Sequence, residues 1–376
     1  MSQAVVFGFG ATGKLRGVLD GWEARRVFLV TGGHSFTSSG AAKAIAAGLD
    51  GREVEQFCGF AENPKIEDVE RGRAALKRSG GDAVVAVGGG SVIDVAKLVN
   101  ALAHDPRDGR DAVASGTASP GLPLVAIPTT AGSGSEATQF AVVYVGHAKY
   151  SVGAASMRPS AALVDPGLAS SMPPHLTAIT GMDALSQAVE SYWCVNSTEA
   201  SKDCARRAIR LVLDHLEAAV KAPTRHARRA MSKAAYLAGC AINVTKTTGP
   251  HALSYPMTSH FGVPHGHAVA LTLGEFFVYN SGVGDGDVAD RRGAGYVRRV
   301  ITELTELMGC STADECRQRI GQLMQAVDLQ TRLSELGVAR TQAIDTVTGE
   351  VNAERLANNP RRMTPASIRA LVEAVC

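Results

Sequence analysis

Excess charge, long apolar runs and an export signal are all missing from this sequence of 376 residues. Its 38 Lys and Arg residues nearly cancel 36 Asp and Glu residues, and the net charge of +2 is too small to indicate a nucleic-acid-binding surface. The apolar runs stop well short of a membrane-spanning length, and the N-terminus lacks the basic start and apolar core of a secretory signal. We therefore expect a cytoplasmic protein that binds neither nucleic acid nor membrane.

Cysteine is also sparse. Seven cysteines are scattered along the chain without a C-x-x-C pair, so the sequence predicts neither a disulfide framework nor a thiolate zinc site. Hydrophobic residues make up 45% and charged residues 20% of the chain, which excludes a largely disordered protein. Because the chain is longer than one hydrophobic core usually supports, we expect two domains.

The patterns that are present divide the chain into two halves. In the first half, short runs rich in Val and Ile alternate with amphipathic stretches of helical spacing. The runs include residues 27–31, 84–87 and 124–127, and the helical stretches include residues 38–49 and 66–79. This β-α-β order predicts an α/β domain with a parallel sheet over residues 1–165. Residues 166–376 show helical periodicity and predict an all-α domain, whose last helix begins at Thr364 and Pro365.

A glycine-rich turn stands between a predicted strand and a predicted helix. The letters GGGS at residues 88–91 follow the run 84–87 and precede a helical stretch. Backbone NH groups at such a turn can approach an anion, and the helix dipole favours negative charge there. The turn predicts either a cofactor pyrophosphate site or a βα turn without ligand. The choice stays open because the turn lacks the G-x-G-x-x-G fingerprint of standard dinucleotide-binding turns. A second loop, residues 128–136, also follows a strand, and the two loops would converge where open α/β sheets bind ligands.

Residues of the kind that bind metals are concentrated in the second half. Asp183 and Gln187 stand four residues apart and therefore share one helix face. Residues 251–267 contain four of the ten histidines. A carboxylate and imidazoles from two segments suit a divalent transition metal with an open position for a carbonyl oxygen. The alternative is that these histidines make ordinary hydrogen bonds, but their clustering favours a metal.

Five motifs follow one another along the chain. They are GGGSVIDVAK at 88–97, PTTAGSGSE at 128–136, DP at 165–166, GMDAL at 181–185 and PHG at 264–266. In this order they resemble the landmarks of the iron-dependent (group III) alcohol dehydrogenase family, over nearly the whole chain. Within that family, residues 180–187, 251–256 and 264–271 resemble the phosphonoacetaldehyde reductase branch. That branch makes 2-hydroxyethylphosphonate on the way to phosphonate natural products.

The resemblance implies a Rossmann-like, parallel-sheet dinucleotide-binding domain followed by a helical metal-binding domain, a fold shared with dehydroquinate synthase. It also implies a cleft that holds nicotinamide and metal together. Asp183, His251 and His265 match the family's metal ligands, and Gln187 stands at the position of the fourth. The residues expected to bind the cofactor are Gly32, Gly88, Gly89, Gly90, Ser91, Asp94, Thr129, Thr130, Ser133 and Lys149.

Three positions depart from the family pattern. Gln187 replaces a histidine ligand, so it is either a weaker fourth ligand through its carbonyl oxygen or an amide that binds the substrate. We favour the second interpretation, because three ligands can hold a catalytic metal. Gly32 replaces an acidic residue that repels a 2′-phosphate in relatives. Unless another acidic side chain supplies this charge, we expect the protein to use both NADH and NADPH, with NADPH preferred. Tyr255 replaces a histidine that is a candidate proton donor in relatives.

The proton donor and the cation for the substrate are assigned from the remaining residues. His267 is the expected general acid; its alternative role is to support His265, and Tyr255 is an alternative proton relay. A phosphonate requires cations or backbone donors near the aldehyde. Lys246 is the expected catalytic-site cation, because it is the basic residue nearest in sequence to His251, the first histidine of residues 251–267. Lys149 and Arg158 are the other candidates.

The expected reaction passes a hydride from nicotinamide C4 to the carbonyl carbon of a small phosphonate. Phosphonoacetaldehyde is the first choice, and phosphonopyruvate or another small aldehyde or keto acid is the alternative. The expected metal is Fe²⁺, with Zn²⁺, Mn²⁺ and Ni²⁺ as alternatives and its occupancy left open by Gln187, and it would withdraw charge from the oxygen. Two rival classes are a dehydroquinate synthase-like cyclase that uses NAD transiently and a metal-free nucleotide-binding pseudoenzyme. We expect a homodimer.

Overall fold

The computed structural model describes residues 3–103, 105, 107–116, 119–146 and 148–376. The chain divides into two compact units, Met1–Met172 and Pro173–Cys376. The sequence places the domain boundary after residue 165, whereas the turn that follows this residue stays with the first unit. The carboxylate of Asp165 accepts hydrogen bonds from the backbone NH of Gly10 and from Thr12 Oγ1, both at 3.0 Å, and this fastens the turn.

A parallel sheet forms the centre of the first unit. The strands are β1 (Ala4–Phe7), β2 (Arg26–Thr31), β3 (Glu53–Phe57), β4 (Ala83–Gly88), β5 (Leu124–Pro128), β6 (Phe140–Val145), β7 (Ala148–Gly153) and β8 (Ala161–Val164). The helices are α1 (Leu15–Gly21), α2 (His34–Ser38), α3 (Ala41–Leu49), α4 (Ile66–Ser79), α5 (Gly90–Leu102) and α6 (Gly109–Ala114). Six strands lie in the order β1-β8-β5-β4-β2-β3 and are all parallel, while β6 and β7 form an antiparallel pair.

Alternate side chains of the strands pack against helices on both faces of the sheet. On β2, Leu29 belongs to the apolar cluster that contains Leu15 of α1, whereas Phe28 belongs to the cluster that contains Val69 of α4. A sheet covered on both faces requires apolar residues at successive strand positions, which explains the continuous Val and Ile runs. The predicted α/β class with a parallel sheet is confirmed.

One helix of the first unit is shorter than the sequence predicts. The stretch 38–49 reads as a single helix, but α2 ends at Ser38 and α3 begins at Ala41. Gly40 lies between them with φ +78°, in the left-handed region that glycine adopts without steric cost. The turn at Gly40 therefore separates two helices that the apolar spacing alone does not distinguish.

The second unit is built from α-helices in the part of the chain that the structure describes. They are α7 (Pro174–Trp193), α8 (Glu199–Lys221), α9 (Arg225–Thr245), α10 (Gly249–Phe261), α11 (His265–Ser281), α12 (Ala294–Leu307), α13 (Ala313–Ala326), α14 (Arg340–Glu350), α15 (Ala353–Leu356) and α16 (Pro365–Ala374). Helix α16 begins as predicted, since Pro365 is its first residue and Thr364 Oγ1 accepts a hydrogen bond from the backbone NH of Ser367 at 3.1 Å. The predicted all-α class of this half is confirmed.

Helix α7 is largely buried within the second unit. It packs against α8, α9 and α11, and nearly all of its side chains from Thr177 to Trp193 are buried. Polar groups that face inward on this helix therefore need partners inside the protein. Within the described ranges, no helix combines the length and the apolar composition that crossing a membrane requires.

Candidate metal centre and cofactor loops

Helix α7 presents a row of polar side chains inside the second unit. Asp183, Gln187 and Glu190 stand at i, i+4 and i+7, hence on one helix face, and all three are buried. Gly266 allows α11 to come close to this face, because an added Cβ at Gly266 would lie 2.9 Å from Asp183 Cβ. The sequence thereby brings His265, in the first turn of α11, against the carboxylate on α7.

Asp183, His251 and His265 converge on one point. A ligand atom of each residue lies within 4.8 Å of the ligand atoms of the other two. Asp183 Oδ1 lies 3.5 Å from His251 Nε2, and the two imidazole rings lie 5.2 Å apart between centroids at an angle of 75°. One carboxylate and two imidazoles form a donor set that suits Fe²⁺ and Zn²⁺. The structure therefore brings three of the predicted metal ligands together.

Two buried oxygen atoms at this cluster lack a hydrogen-bond donor. Asp183 Oδ1 and Gln187 Oε1 have no hydrogen-bond partner, although Gln187 Nε2 donates to Asp183 Oδ2 at 2.9 Å. A buried polar atom left unsatisfied costs about 1–3 kcal/mol, and a cation between these two oxygens would remove that cost for both. The side chains present therefore fit a divalent metal.

The orientation of the Gln187 amide bears on its two alternative roles. One N–H of its amide donates to Asp183, while the buried carbonyl oxygen, which can only accept, has no hydrogen-bond partner. A phosphonate oxygen also accepts hydrogen bonds and carries negative charge, so it gains nothing from this carbonyl. The contacts of Gln187 favour the fourth metal ligand over the substrate-binding role that we favour from the sequence.

Glu190 is a residue of this centre that the sequence interpretation did not single out. Its Oε1 accepts hydrogen bonds from the backbone NH of Thr248 at 2.9 Å, from Thr248 Oγ1 at 3.0 Å and from the backbone NH of His251 at 3.3 Å. Its Oε2 contacts His251 Nδ1. The spacing of i+7 from Asp183 is the signal that places Glu190 on the face of the predicted ligands.

The charges of this centre act on one another. Burial works against protonation of His251, but the negative charges of Glu190 and Asp183 prevail and raise the pKa of His251 to about 9. Burial also works against ionisation of Asp183, yet His251 and His265 hold the pKa of Asp183 below its ordinary value. These shifts come from an arrangement that concentrates negative charge around the predicted ligand atoms.

His267 lies apart from the predicted ligands. Its side chain is buried, its Nε2 lies 2.7 Å from the carbonyl oxygen of Gln330, and burial lowers its pKa. Residues two positions apart on a helix face different directions, so His267 does not share the side of α11 from which His265 extends. This position favours a structural role over the predicted general acid. Tyr255 instead lies beside His265, with ring centroids 6.0 Å apart.

Lys246 lies in the short link between α9 and α10, and its side chain is exposed. Its backbone has φ +64° and ψ −178°, a conformation that costs a residue with a side chain about 1–3 kcal/mol. The neighbouring residues hold it there, since Thr245 Oγ1 donates to the Lys246 carbonyl at 2.8 Å and Asn358 Nδ2 donates to the Thr247 carbonyl at 3.0 Å. Strained backbone of this kind is concentrated at functional sites.

The predicted phosphate-binding turn in the first unit lies beside the second predicted loop. The turn follows β4 and the loop follows β5, and these two strands are neighbours in the sheet. An added Cβ at Gly90 would lie 2.6 Å from Ser133 Oγ, and one at Gly89 would lie 3.3 Å from Thr130, so the two segments are in contact. Thr129 Oγ1 is buried and has no hydrogen-bond partner. The predicted cofactor residues in these two segments are Gly88, Gly89, Gly90, Ser91, Thr129, Thr130 and Ser133.

Asp94 joins α5 to the second loop. Its carboxylate accepts hydrogen bonds from Ser135 Oγ and, at 3.0 Å, from the backbone NH of Val142, and burial raises its pKa. Lys97 Nζ lies 3.9 Å from this carboxylate and donates to Ser135 Oγ and Thr138 Oγ1, each at 2.9 Å. Burial lowers the pKa of Lys97 to about 8. Both oxygens of Asp94 are thus engaged within the unit, which favours a role in holding the loop over direct contact with a cofactor.

Gly32 and Lys149 are the remaining predicted cofactor residues. Gly32 follows β2, and an added Cβ there would collide with Ser35 Oγ, so an acidic side chain at this position requires Ser35 to move. Lys149 lies on β7 with its Nζ 5.7 Å from the centroid of the Tyr144 ring, and its charge acts on Asp94. Lys149 is therefore near the loop that Asp94 holds.

Two family models match the chain. The model described as iron-containing alcohol dehydrogenase matches residues 2–166. The model described as the C-terminal part of the Fe-containing alcohol dehydrogenase family matches residues 177–376. Together they cover both units.

Known proteins that are similar over most of this chain agree with these matches. Phosphonoacetaldehyde reductase of Streptomyces viridochromogenes is 38% identical over 307 residues, which are 77% of this chain and 75% of the relative. Long-chain-alcohol dehydrogenase 1 of Geobacillus thermodenitrificans is 32% identical over 332 residues, 86% of this chain and 82% of the relative. The crystal structure of sulfoacetaldehyde reductase from Bifidobacterium kashiwanohense in complex with NAD⁺ matches with a TM-score of 0.87 at 30% identity, covering 99% and 96% of the two chains. The predicted fold is thereby confirmed.

Proposed function

This chain belongs to the iron-containing alcohol dehydrogenase family, and from that premise we propose that it reduces a small phosphonate aldehyde with NADH or NADPH. The substrate we propose is phosphonoacetaldehyde, which gives 2-hydroxyethylphosphonate, with phosphonopyruvate as the alternative. The observation that carries the proposal is the buried cluster of Asp183, His251 and His265, where two oxygens lack donors. The 38% identity to a phosphonoacetaldehyde reductase supports the choice of substrate.

The proposed reaction consumes one aldehyde, one NAD(P)H and one proton, and yields the alcohol and NAD(P)⁺. The hydride forms the new C–H bond at the carbonyl carbon, and the proton adds to the carbonyl oxygen. A divalent metal bound by Asp183, His251 and His265 would supply positive charge that stabilises the developing alkoxide. Tyr255 is the proposed proton relay, because its ring lies beside His265 whereas His267 is held by Gln330.

The loops after β4 and β5 are the proposed binding site for the cofactor pyrophosphate. The first turn of α5 offers backbone NH groups to an anion, and Thr129 Oγ1 adds a buried donor that has no other partner. Gly32 places no negative charge after β2, so a 2′-phosphate meets no repulsion there and NADPH is proposed as the preferred cofactor. Asp94 and Lys97 contribute by holding the second loop against α5.

A panel of carbonyl compounds tests the substrate. The initial rate of NADH and NADPH oxidation is measured with phosphonoacetaldehyde, phosphonopyruvate, sulfoacetaldehyde and butyraldehyde. We expect phosphonoacetaldehyde to have the highest kcat/KM, about tenfold or more above butyraldehyde, because a charge-assisted hydrogen bond contributes about 1.5–3 kcal/mol. A preference for butyraldehyde would contradict the phosphonate substrate. No net cofactor oxidation with any compound would contradict the proposed reductase activity.

Lys246→Gly is expected to raise the KM for phosphonoacetaldehyde about tenfold and to leave the KM for butyraldehyde unchanged. Glycine accepts the φ of +64° at this position, so the variant removes the charge without straining the link between α9 and α10. Steady-state kinetics with the two aldehydes measure the effect. Lys246→Arg is the matched control, since it keeps the charge and is expected to keep the KM. Equal increases for both aldehydes in Lys246→Gly would contradict a role in phosphonate binding.

Gln187→His is expected to tighten metal binding by about tenfold or more, equal to about 1.4 kcal/mol, because imidazole is a better donor than an amide carbonyl. The dissociation constant is measured by titrating Zn²⁺ into metal-stripped wild type and variant. Gln187→Leu removes the carbonyl at similar volume and is expected to weaken binding. If Gln187 binds the substrate instead, Gln187→His leaves the metal affinity unchanged and raises the KM for phosphonoacetaldehyde.

A further inference from the structure

We infer that Glu190 is a positioning residue that holds His251 in the tautomer able to bind a metal. The inference rests on the proposed function, because it concerns the ring that would bind the metal. Glu190 is fully buried, and a buried carboxylate without partners is strongly destabilising. Its two oxygens contact four donors, three at Oε1 and one at Oε2. These donors, which all come from Thr248 and His251, stabilise the buried carboxylate.

The contacts of Glu190 determine which nitrogen of His251 carries the proton. A carboxylate only accepts hydrogen bonds, so the ring nitrogen that faces Oε2, Nδ1, must donate. In the neutral ring, the form that binds a metal, the other nitrogen, Nε2, is then the one with the lone pair. Nε2 is also the nitrogen that lies 3.5 Å from Asp183 Oδ1, the oxygen without a donor. Glu190 therefore directs the lone pair of His251 toward the proposed metal position.

The Glu190 carboxylate on α7 also contacts the N-terminus of α10. Thr248 is the N-cap residue of this helix, and the NH groups of Thr248 and His251 both donate to Oε1. A negative charge at this end of a helix is favourable in itself. If Glu190 only capped α10, an acceptor at Oε1 would be sufficient. A change at Oε2 would then leave the metal affinity unchanged.

The variant Glu190→Gln separates the two roles. The three donors at Oε1 keep the glutamine carbonyl oxygen at that position, which places the amide NH₂ opposite His251 Nδ1. Two donors cannot face each other, so in the neutral ring Nδ1 must lose its proton and Nε2 must carry it. A protonated Nε2 has no lone pair for a metal. The variant thus keeps the cap of α10 and reverses the tautomer.

The test measures zinc affinity and the tautomer in the same full-length proteins. Zinc is titrated against a competing chelator, and ¹⁵N NMR of the histidine side chains in the zinc-loaded protein identifies the protonated nitrogen. We expect Glu190→Gln to weaken zinc binding about 10- to 100-fold, while its unfolding midpoint stays close to that of wild type. Wild type is expected to show a protonated Nδ1 at His251.

Glu303→Gln is the matched control. Glu303 also contacts α7, by accepting a hydrogen bond from Tyr192 Oη at 3.0 Å, and is not part of the metal cluster. The control is expected to keep wild-type zinc affinity. Zinc affinity of Glu190→Gln within about threefold of wild type would overturn the inference. If Glu190→Gln does not fold, a zinc-loaded wild type with an unprotonated Nδ1 at His251 overturns it by itself. A wild type that binds no zinc would instead contradict the proposed function.

Discussion

Replacement of His251 or His265 by alanine is expected to lower kcat/KM for aldehyde reduction by about 100-fold or more, and to remove bound metal from the same proteins. The ligand atoms of these two residues and of Asp183 lie within 4.8 Å of one another, so each variant removes one of three close donors. Stabilisation of a developing oxyanion contributes about 3–4 kcal/mol to catalysis, and this is the contribution that the variants lose. Metal content per chain and kcat/KM are measured on each purified variant.

His260→Ala is the matched control for these variants. His260 also lies on α10, but it is exposed and its Nε2 lies 2.7 Å from the carboxylate of Glu350. We expect this variant to keep both metal and activity. Full metal content in both His251→Ala and His265→Ala would show that the metal is bound elsewhere.

Gly89→Val is expected to raise the KM for the nicotinamide cofactor about tenfold or more, and to change the KM for the aldehyde by less than about twofold. Gly89 has φ −73° and ψ −174°, extended backbone that valine also adopts, so the variant fits the local conformation. Its side chain would enter the space where the turn meets Thr130, at 3.3 Å, and would block close approach of a pyrophosphate to the NH groups of α5. Initial rates with each substrate varied in turn measure both constants.

Gly17→Val serves as the control for the cofactor prediction. Gly17 is an exposed glycine of α1, and an added Cβ there would have no atom within 4 Å. Gly90 is a poorer test, because its added Cβ would lie 2.6 Å from Ser133 Oγ and displace the second loop. Equal increases in both Michaelis constants for Gly89→Val would indicate a turn with a structural role alone.

The fold was predictable where the apolar pattern is strong. The runs at 27–31 and 84–87 are strands because a sheet covered on both faces leaves no solvent-exposed position along them. The break between α2 and α3 was not predicted, because it depends on the backbone conformation of Gly40 and the apolar spacing continues across it.

The candidate site was predictable in part. Asp183, His251 and His265 are found from clustering and family resemblance, and their convergence requires only that three helices meet. Glu190 was missed because a glutamate in a helix is most often solvated, and its burial depends on the packing of α10 on α7. His267 as general acid stays a prediction, which its contact with the Gln330 carbonyl and the phase of α11 relative to His265 do not favour.

The metal dependence of the proposed phosphonate-aldehyde reduction is measured by removing and restoring the metal. Purified wild type is stripped of metal and reloaded in steps with Fe²⁺ or Zn²⁺, and NADPH oxidation by phosphonoacetaldehyde is recorded against metal content in each sample. We expect negligible oxidation in the stripped protein and a rate that rises in proportion to bound metal up to one ion per chain, the number that the Asp183, His251 and His265 cluster would hold. Full activity in the stripped protein, or none in the fully loaded protein, would contradict this expectation.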